Sequence, residues 1–95
     1  MFRCAWCMKK IAENDSLLGL NVTFAEGVDF TKDEGKVIQV FLQSRNTSVP
    51  MIVTASDSDA KKEGSDGIFV MCSDKCGEKM RKALIYEQKL FKDWI

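Results

Sequence analysis

Cys72-Ser73-Asp74-Lys75-Cys76 decides the fold, read together with Cys4-Ala5-Trp6-Cys7 near the other end of the chain. These are the only four cysteines in 95 residues, and residues 8 to 71 separate the two pairs. A C-x2-C and a C-x3-C pair each aim two sulfurs at one point, so the spacing predicts a four-thiolate site of Cys4, Cys7, Cys72 and Cys76. The expected ion is zinc, one per chain and structural; iron or an iron–sulfur cluster suits the same donors. Unliganded thiols or two disulfides are the competing reading. Disulfides belong to oxidising compartments, and Met1-Phe2-Arg3-Cys4 leaves no room for the apolar segment of a secretory signal. A reduced, cytoplasmic chain is therefore expected. A thioredoxin-type redox pair wants C-x-x-C at a helix N-terminus, a place that here belongs to Cys72 and Cys76.

Working outward from the second pair, Ile68 to Met71 is a short apolar run that reads as a strand ending at Cys72. Ser73 suits a helix N-cap, and Asp74 suits the positive end of the helix dipole. Met80, Ala83, Leu84, Leu90, Phe91 and Trp94 recur at three- and four-residue spacing, interrupted once by Glu87. That pattern predicts one long helix from about Ser73 to Trp94. Residues 1–11 read as a zinc knuckle, with the N–H groups of Met8 and Lys9 expected at the first sulfur. Arg3, Lys9 and Lys10 would offset the negative charge of the site. Trp94 and Ile95 are expected to cap the core or to form a contact between copies.

A knuckle followed by a strand and Cys-Ser-x-x-Cys opening a helix resembles the TRASH/MYM-type treble-clef fingers. The residues that carry the resemblance are Cys4 to Ile11 and Ile68 to Cys76, both ends of the chain and not its middle. It implies a treble-clef zinc site, with the four cysteines as ligands. A zinc-bearing protein of the large ribosomal subunit belongs to the same group, which implies nucleic-acid binding as one function.

Between the pairs, Glu13 to Ser16 is a polar turn signal. Leu17 to Phe24 reads as a strand, and Glu26 to Gly35 as a loop. Lys36 to Leu42 is the clearest strand; Ser44 to Thr47 turns it back into Ser48 to Ala55. Pro50 puts that second arm at an edge or near its start. Ser56 to Gly67 is a polar loop with at most one helical turn. The expected architecture is α+β in a single zinc-stapled domain, 1–95. It comprises a knuckle (1–11), an inserted antiparallel sheet of three or four strands (12–67), and a strand with a long C-terminal helix (68–95).

Lysine plus arginine equals aspartate plus glutamate, 14 against 14. Four thiolates and a divalent ion together lower that balance by about two charges. Bulk positive charge for phosphate binding is absent, and no run approaches the ~18 apolar residues of a membrane span. With no histidine, and four thiolates filling a tetrahedron, no open metal position is expected. No nucleophile–base pair stands out either, so no catalytic residue is assigned and an enzyme is not expected. Asp57-Ser58-Asp59 fails as a calcium loop, because Lys62 and Ile68 stand where glycine and glutamate are needed. Lys75, Lys79 and Lys82 share one helix stripe that suits phosphates, with Trp6 as a stacking platform. A solvated face with Glu78–Lys82 pairing is the plainer reading. The preferred function is a protein-interaction or regulatory module; the alternative is a nucleic-acid-binding finger using the basic helix and Trp6.

Overall fold

A computed structural model describes residues 2–12 and 17–94. The polar turn at Glu13 to Ser16 and the terminal Met1 and Ile95 lie outside them. In chain order the elements are β1 (Phe2–Arg3), β2 (Lys10–Ile11), β3 (Leu18–Phe24), β4 (Val37–Leu42), β5 (Thr47–Val53), α1 (Asp59–Lys62), β6 (Gly67–Met71), α2 (Asp74–Leu84) and β7 (Phe91–Trp94). The class is α+β. β1 and β2 form a two-stranded ribbon, and the rest make one antiparallel sheet ordered β4-β5-β6-β3-β7. Five strands replace the expected three or four.

Side chains alternate across this curled sheet as the two-residue strand period demands. Leu20, Val22, Val40, Leu42, Val49, Met51, Val53, Phe69 and Met71 point inward and are buried, and α2 covers them with Met80, Ala83 and Leu84. Pro50 sits mid-strand opposite Gln39. Having no N–H, it cannot extend the ladder to β6, and the β5–β6 pairing consists of Ile52↔Ile68 and Val53↔Gly67 alone. β5 is therefore an inner strand with Pro50 at its middle, not the expected edge strand or strand start, and only the half that carries Pro50 is left unpaired on the β6 side.

The long C-terminal helix is a correction. α2 has 11 residues and stops at Leu84. The Tyr86 and Glu87 N–H groups close tight turns onto the carbonyls of Ala83 and Leu84. Glu87, the residue that broke the apolar stripe, is 4% exposed. Its carboxylate accepts the backbone N–H groups of Gln43 (2.8 Å) and Ser44 (3.0 Å) in the β4–β5 turn. The chain beyond it runs as β7 against β3, with Trp94 opposite Val22. Phe91 is fully buried there, its ring 5.6 Å from Phe69 and 6.3 Å from Phe24. Burying Phe91 among the strand aromatics and satisfying the hairpin turn outweighs continuing a helix through Ile85 and Tyr86, both modest helix formers.

Candidate metal centre

The first cysteine pair sits on the turn joining β1 to β2. Cys4 N–H donates to Lys9 O (2.9 Å) and Met8 N–H to Cys4 O (2.9 Å), which closes the turn with Met8 at φ 63°. Arg3 Nη1 donates to Met8 O at 3.0 Å and steadies that left-handed residue. Met8 N–H is therefore spent on a carbonyl, and Lys9 contributes its carbonyl. The donors expected of these two residues come instead from Cys7, Cys72 and Trp6, whose N–H groups face the Cys4 sulfur.

The second pair sits where β6 runs into α2. Ser73 is the N-cap; its Oγ accepts the Cys76 N–H at 3.3 Å, which sets Cys76 on the first helical turn. Ala5 N–H donates to Val70 O at 2.8 Å, fastening the knuckle to the strand that ends in Cys72. That bond, with the burial of Cys4 and Ala5 in the core, joins two segments more than 60 residues apart in sequence.

All four cysteine sulfurs lie within 4.8 Å of one another, and the group is the candidate metal site found among the described residues. Cys7 and Cys76 each lie 3.6 Å from Cys72, sulfur to sulfur. A tetrahedron with metal–sulfur bonds of about 2.3 Å has edges of about 3.8 Å, so the donors fit one ion with little movement. Cys4 is fully buried while Cys7 is exposed. The four cysteines are positioned to bind one metal ion.

Charge and hydrogen bonding differ among the sulfurs. Burial pushes the Cys4 thiol up, but the N–H groups of Cys7, Cys72 and Trp6 outweigh it and lower its pKa from 9.0 to about 7. Cys72 is pushed up to about 12, by burial first and then by its contacts with the Cys7 and Cys76 sulfurs, the Ser73 hydroxyl pulling the other way. A metal-free site thus carries its first negative charge on Cys4, and a metal must displace the proton on Cys72.

Trp6 is half-buried, and the Arg45 guanidinium covers its ring at 3.9 Å from the centroid. One face of the expected stacking platform is taken by this cation–π contact. Lys79 and Lys82 line a shallow hollow beside it together with Arg45 and Tyr86, while Lys75 is exposed on the first turn of α2. Arg45 Nη1 is buried without a hydrogen-bond partner. Glu87 and Arg45 were not anticipated from the sequence; the acidic residue inside the apolar stripe was the available signal for Glu87.

No helix among the described residues is long and apolar enough to cross a membrane. Comparison with protein-family models, curated proteins and solved structures gave no match. What fold and site define is an α+β chain whose two ends converge on a four-cysteine metal-binding site.

Proposed function

We propose that this chain is a small protein-docking module held by one structural zinc ion in a treble-clef-like site of TRASH/MYM type. The donor chemistry supports zinc: four thiolates near tetrahedral spacing, no histidine, and a knuckle facing a helix N-terminus. The same closed set argues against catalysis, which needs an open coordination position. Thiolate ligation also suits a reducing compartment such as the cytoplasm. Native mass spectrometry with metal analysis tests the ion: one zinc per chain is expected, and metal-free protein with two disulfides overturns the assignment.

The observation that carries protein docking is the outer face of β4, β5 and β6. Its outward residues are Val37, Gln39, Phe41, Ser48, Pro50, Ile52, Ile68 and Val70, without one charge. Antiparallel sheets with a wet face normally alternate apolar with polar. Here both faces are apolar, and nothing in the described chain covers the outer one beyond the knuckle at its margin. Val37 is 53% and Phe41 49% exposed. Val37, Gln39, Pro50, Ile52, Ile68 and Val70 line a hollow of about 350 Å³ whose rim is formed by Met8 and Arg3 of the knuckle. A contiguous, partly exposed apolar patch of this kind marks an interaction site, and its predominantly apolar lining, with Arg3 the one charge at its rim, favours protein over phosphate. A photo-crosslinking side chain at Val37 should give a discrete protein adduct that Ile52→Asp abolishes and that the same probe at Lys62 does not give. Equal labelling at the two positions refutes docking through this face.

The nucleic-acid reading keeps one observation in its favour. Arg45, Lys79 and Lys82 share a hollow with Trp6 and Tyr86, and no acidic side chain lines it. Salt-titrated binding to single-stranded DNA and RNA tests it; no affinity at low salt removes it.

A further inference from the structure

β4 is an edge strand of sequence Val37-Ile38-Gln39-Val40-Phe41-Leu42. It holds no charge and no proline, and its pairing with β5 is regular throughout. Soluble proteins usually guard such an edge with lysine, proline, a bulge or a covering segment, because its free backbone groups invite another strand. Lys36 O accepts the Val53 N–H at 2.9 Å. By alternation, Ile38, Val40 and Leu42 then exchange hydrogen bonds with β5, and the N–H and C=O groups of Val37, Gln39 and Phe41 point away from it. Along that side runs a groove of about 770 Å³, lined by Gln39 and Phe41, by Phe30, and by the mixed polar and apolar segment from Ile85 to Leu90, Lys89 included. A further strand needs about 4.8 Å of lateral room.

We propose that a second copy of this chain lays its own β4 antiparallel along this edge, about a twofold axis through Gln39. Three residues per strand face outward, and only one antiparallel register uses all three on both copies: Gln39 opposite Gln39, and Val37 opposite Phe41 twice over. Shifts by two residues leave at least one pair unmade. Each pair in that register exchanges two N–H···O bonds. Two half-exposed apolar side chains, Val37 and Phe41, cover one another on the outer face, where cross-strand aromatic–β-branched pairs are favourable. The Gln39 amide, which both donates and accepts, is its own complement across the axis. An isologous dimer of this kind uses one patch twice. It also joins two uncharged outer faces into one continuous sheet surface.

The inference rests on the reading of the uncharged sheet as a docking surface, but it needs no outside partner. The test is light scattering with size-exclusion chromatography on the metal-loaded full chain over a micromolar to millimolar series. It is run beside Gln39→Lys, Gln39→Glu and their equimolar mixture. A wild-type dimer is expected. Each charged variant should raise the dissociation constant about tenfold or more, since like charges meet on the axis, and the mixture should restore the dimer. Amide exchange gives a readout without mutation: Val37, Gln39 and Phe41 should slow as concentration rises. A monomer with fast exchange at those three amides overturns the proposal. So does a dimer indifferent to the charge at position 39. A monomer that retains the Val37 photoadduct sinks self-pairing and leaves the docking reading in place; a monomer without the adduct removes both.

Discussion

Chelation of the metal should lower the thermal midpoint by roughly 15–30 °C. The magnitude follows from what the ion connects. Within each cysteine pair it closes only a trivial loop, but between the pairs it ties the knuckle to the β6–α2 junction across residues 8 to 71. Treated as a cross-link over about 65 residues, that restricts the unfolded chain by about 4 kcal/mol. A 95-residue domain has a total stability of roughly 5–14 kcal/mol. Losing about 4 kcal/mol therefore leaves a marginal fold, and a chain of this length shifts by roughly 4–8 °C per kcal/mol. The assay is calorimetry on the holo protein, on the chelated protein with metal removal verified, and on the double variant Cys72→Ser, Cys76→Ser. Both perturbed samples should fall by similar amounts, because either one severs the link between the ends. A verified metal-free chain whose midpoint moves by only a few degrees would refute the reasoning, since the five-stranded core would then be holding the ends together unaided.

Two further outcomes follow from particular side chains. Metal uptake should release about one more proton below pH 7 than above it. Cys72, raised to about 12, surrenders its proton on binding at any neutral pH, whereas Cys4, lowered to about 7, is already ionised above that value and protonated below it. Metal affinity therefore falls more steeply as pH drops through about 7, and calorimetry in buffers of different ionisation enthalpy counts the protons; a constant count across that range contradicts the assignment of the first charge to Cys4. Glu87→Gln should cost about 1–3 kcal/mol in urea unfolding with metal content unchanged. It replaces one of two acceptors facing Gln43 and Ser44 N–H by a donor, and the relief of a buried carboxylate offsets part of the loss. A variant as stable as wild type would show that the latch gives no net stability.

The cysteine site was legible because its information is local: a pair three or four residues apart needs only a turn or a helix start to converge. Strands β3 to β6 were legible within a residue or two, since Val-Ile-Gln-Val-Phe-Leu and Ile-Phe-Val-Met are β-branched or aromatic runs between turn residues. β7 was not. Leu90, Phe91 and Trp94 also fit a helical stripe, and what decides against the helix lies far away in sequence. Phe91 meets Phe69 and Phe24, and Glu87 meets a turn more than 40 residues earlier. The knuckle's donors were misread for a smaller reason. Met8 adopts a left-handed conformation that turns its N–H to the Cys4 carbonyl, a choice residue identity does not announce for a non-glycine residue. β4, broken only by Gln39, and β6 carry apolar residues on both sides of the strand period, but only strand order shows which face stays uncovered.

The β4–β5 turn is where the metal site and the sheet meet. Arg45 lies over Trp6, between the two cysteines of the knuckle, at 3.9 Å. One and two residues earlier, the Ser44 and Gln43 N–H groups are held by Glu87, just beyond the helix whose first turn carries Cys76. Both halves of the cysteine site thus have a tie to the same turn. β4 has only β5 beside it in the sheet, so this turn is its second anchor. If a metal ion is bound, its expected contribution is positional: by tying the knuckle to the β6–α2 junction it would support the turn that anchors β4, the edge on which the proposed pairing depends.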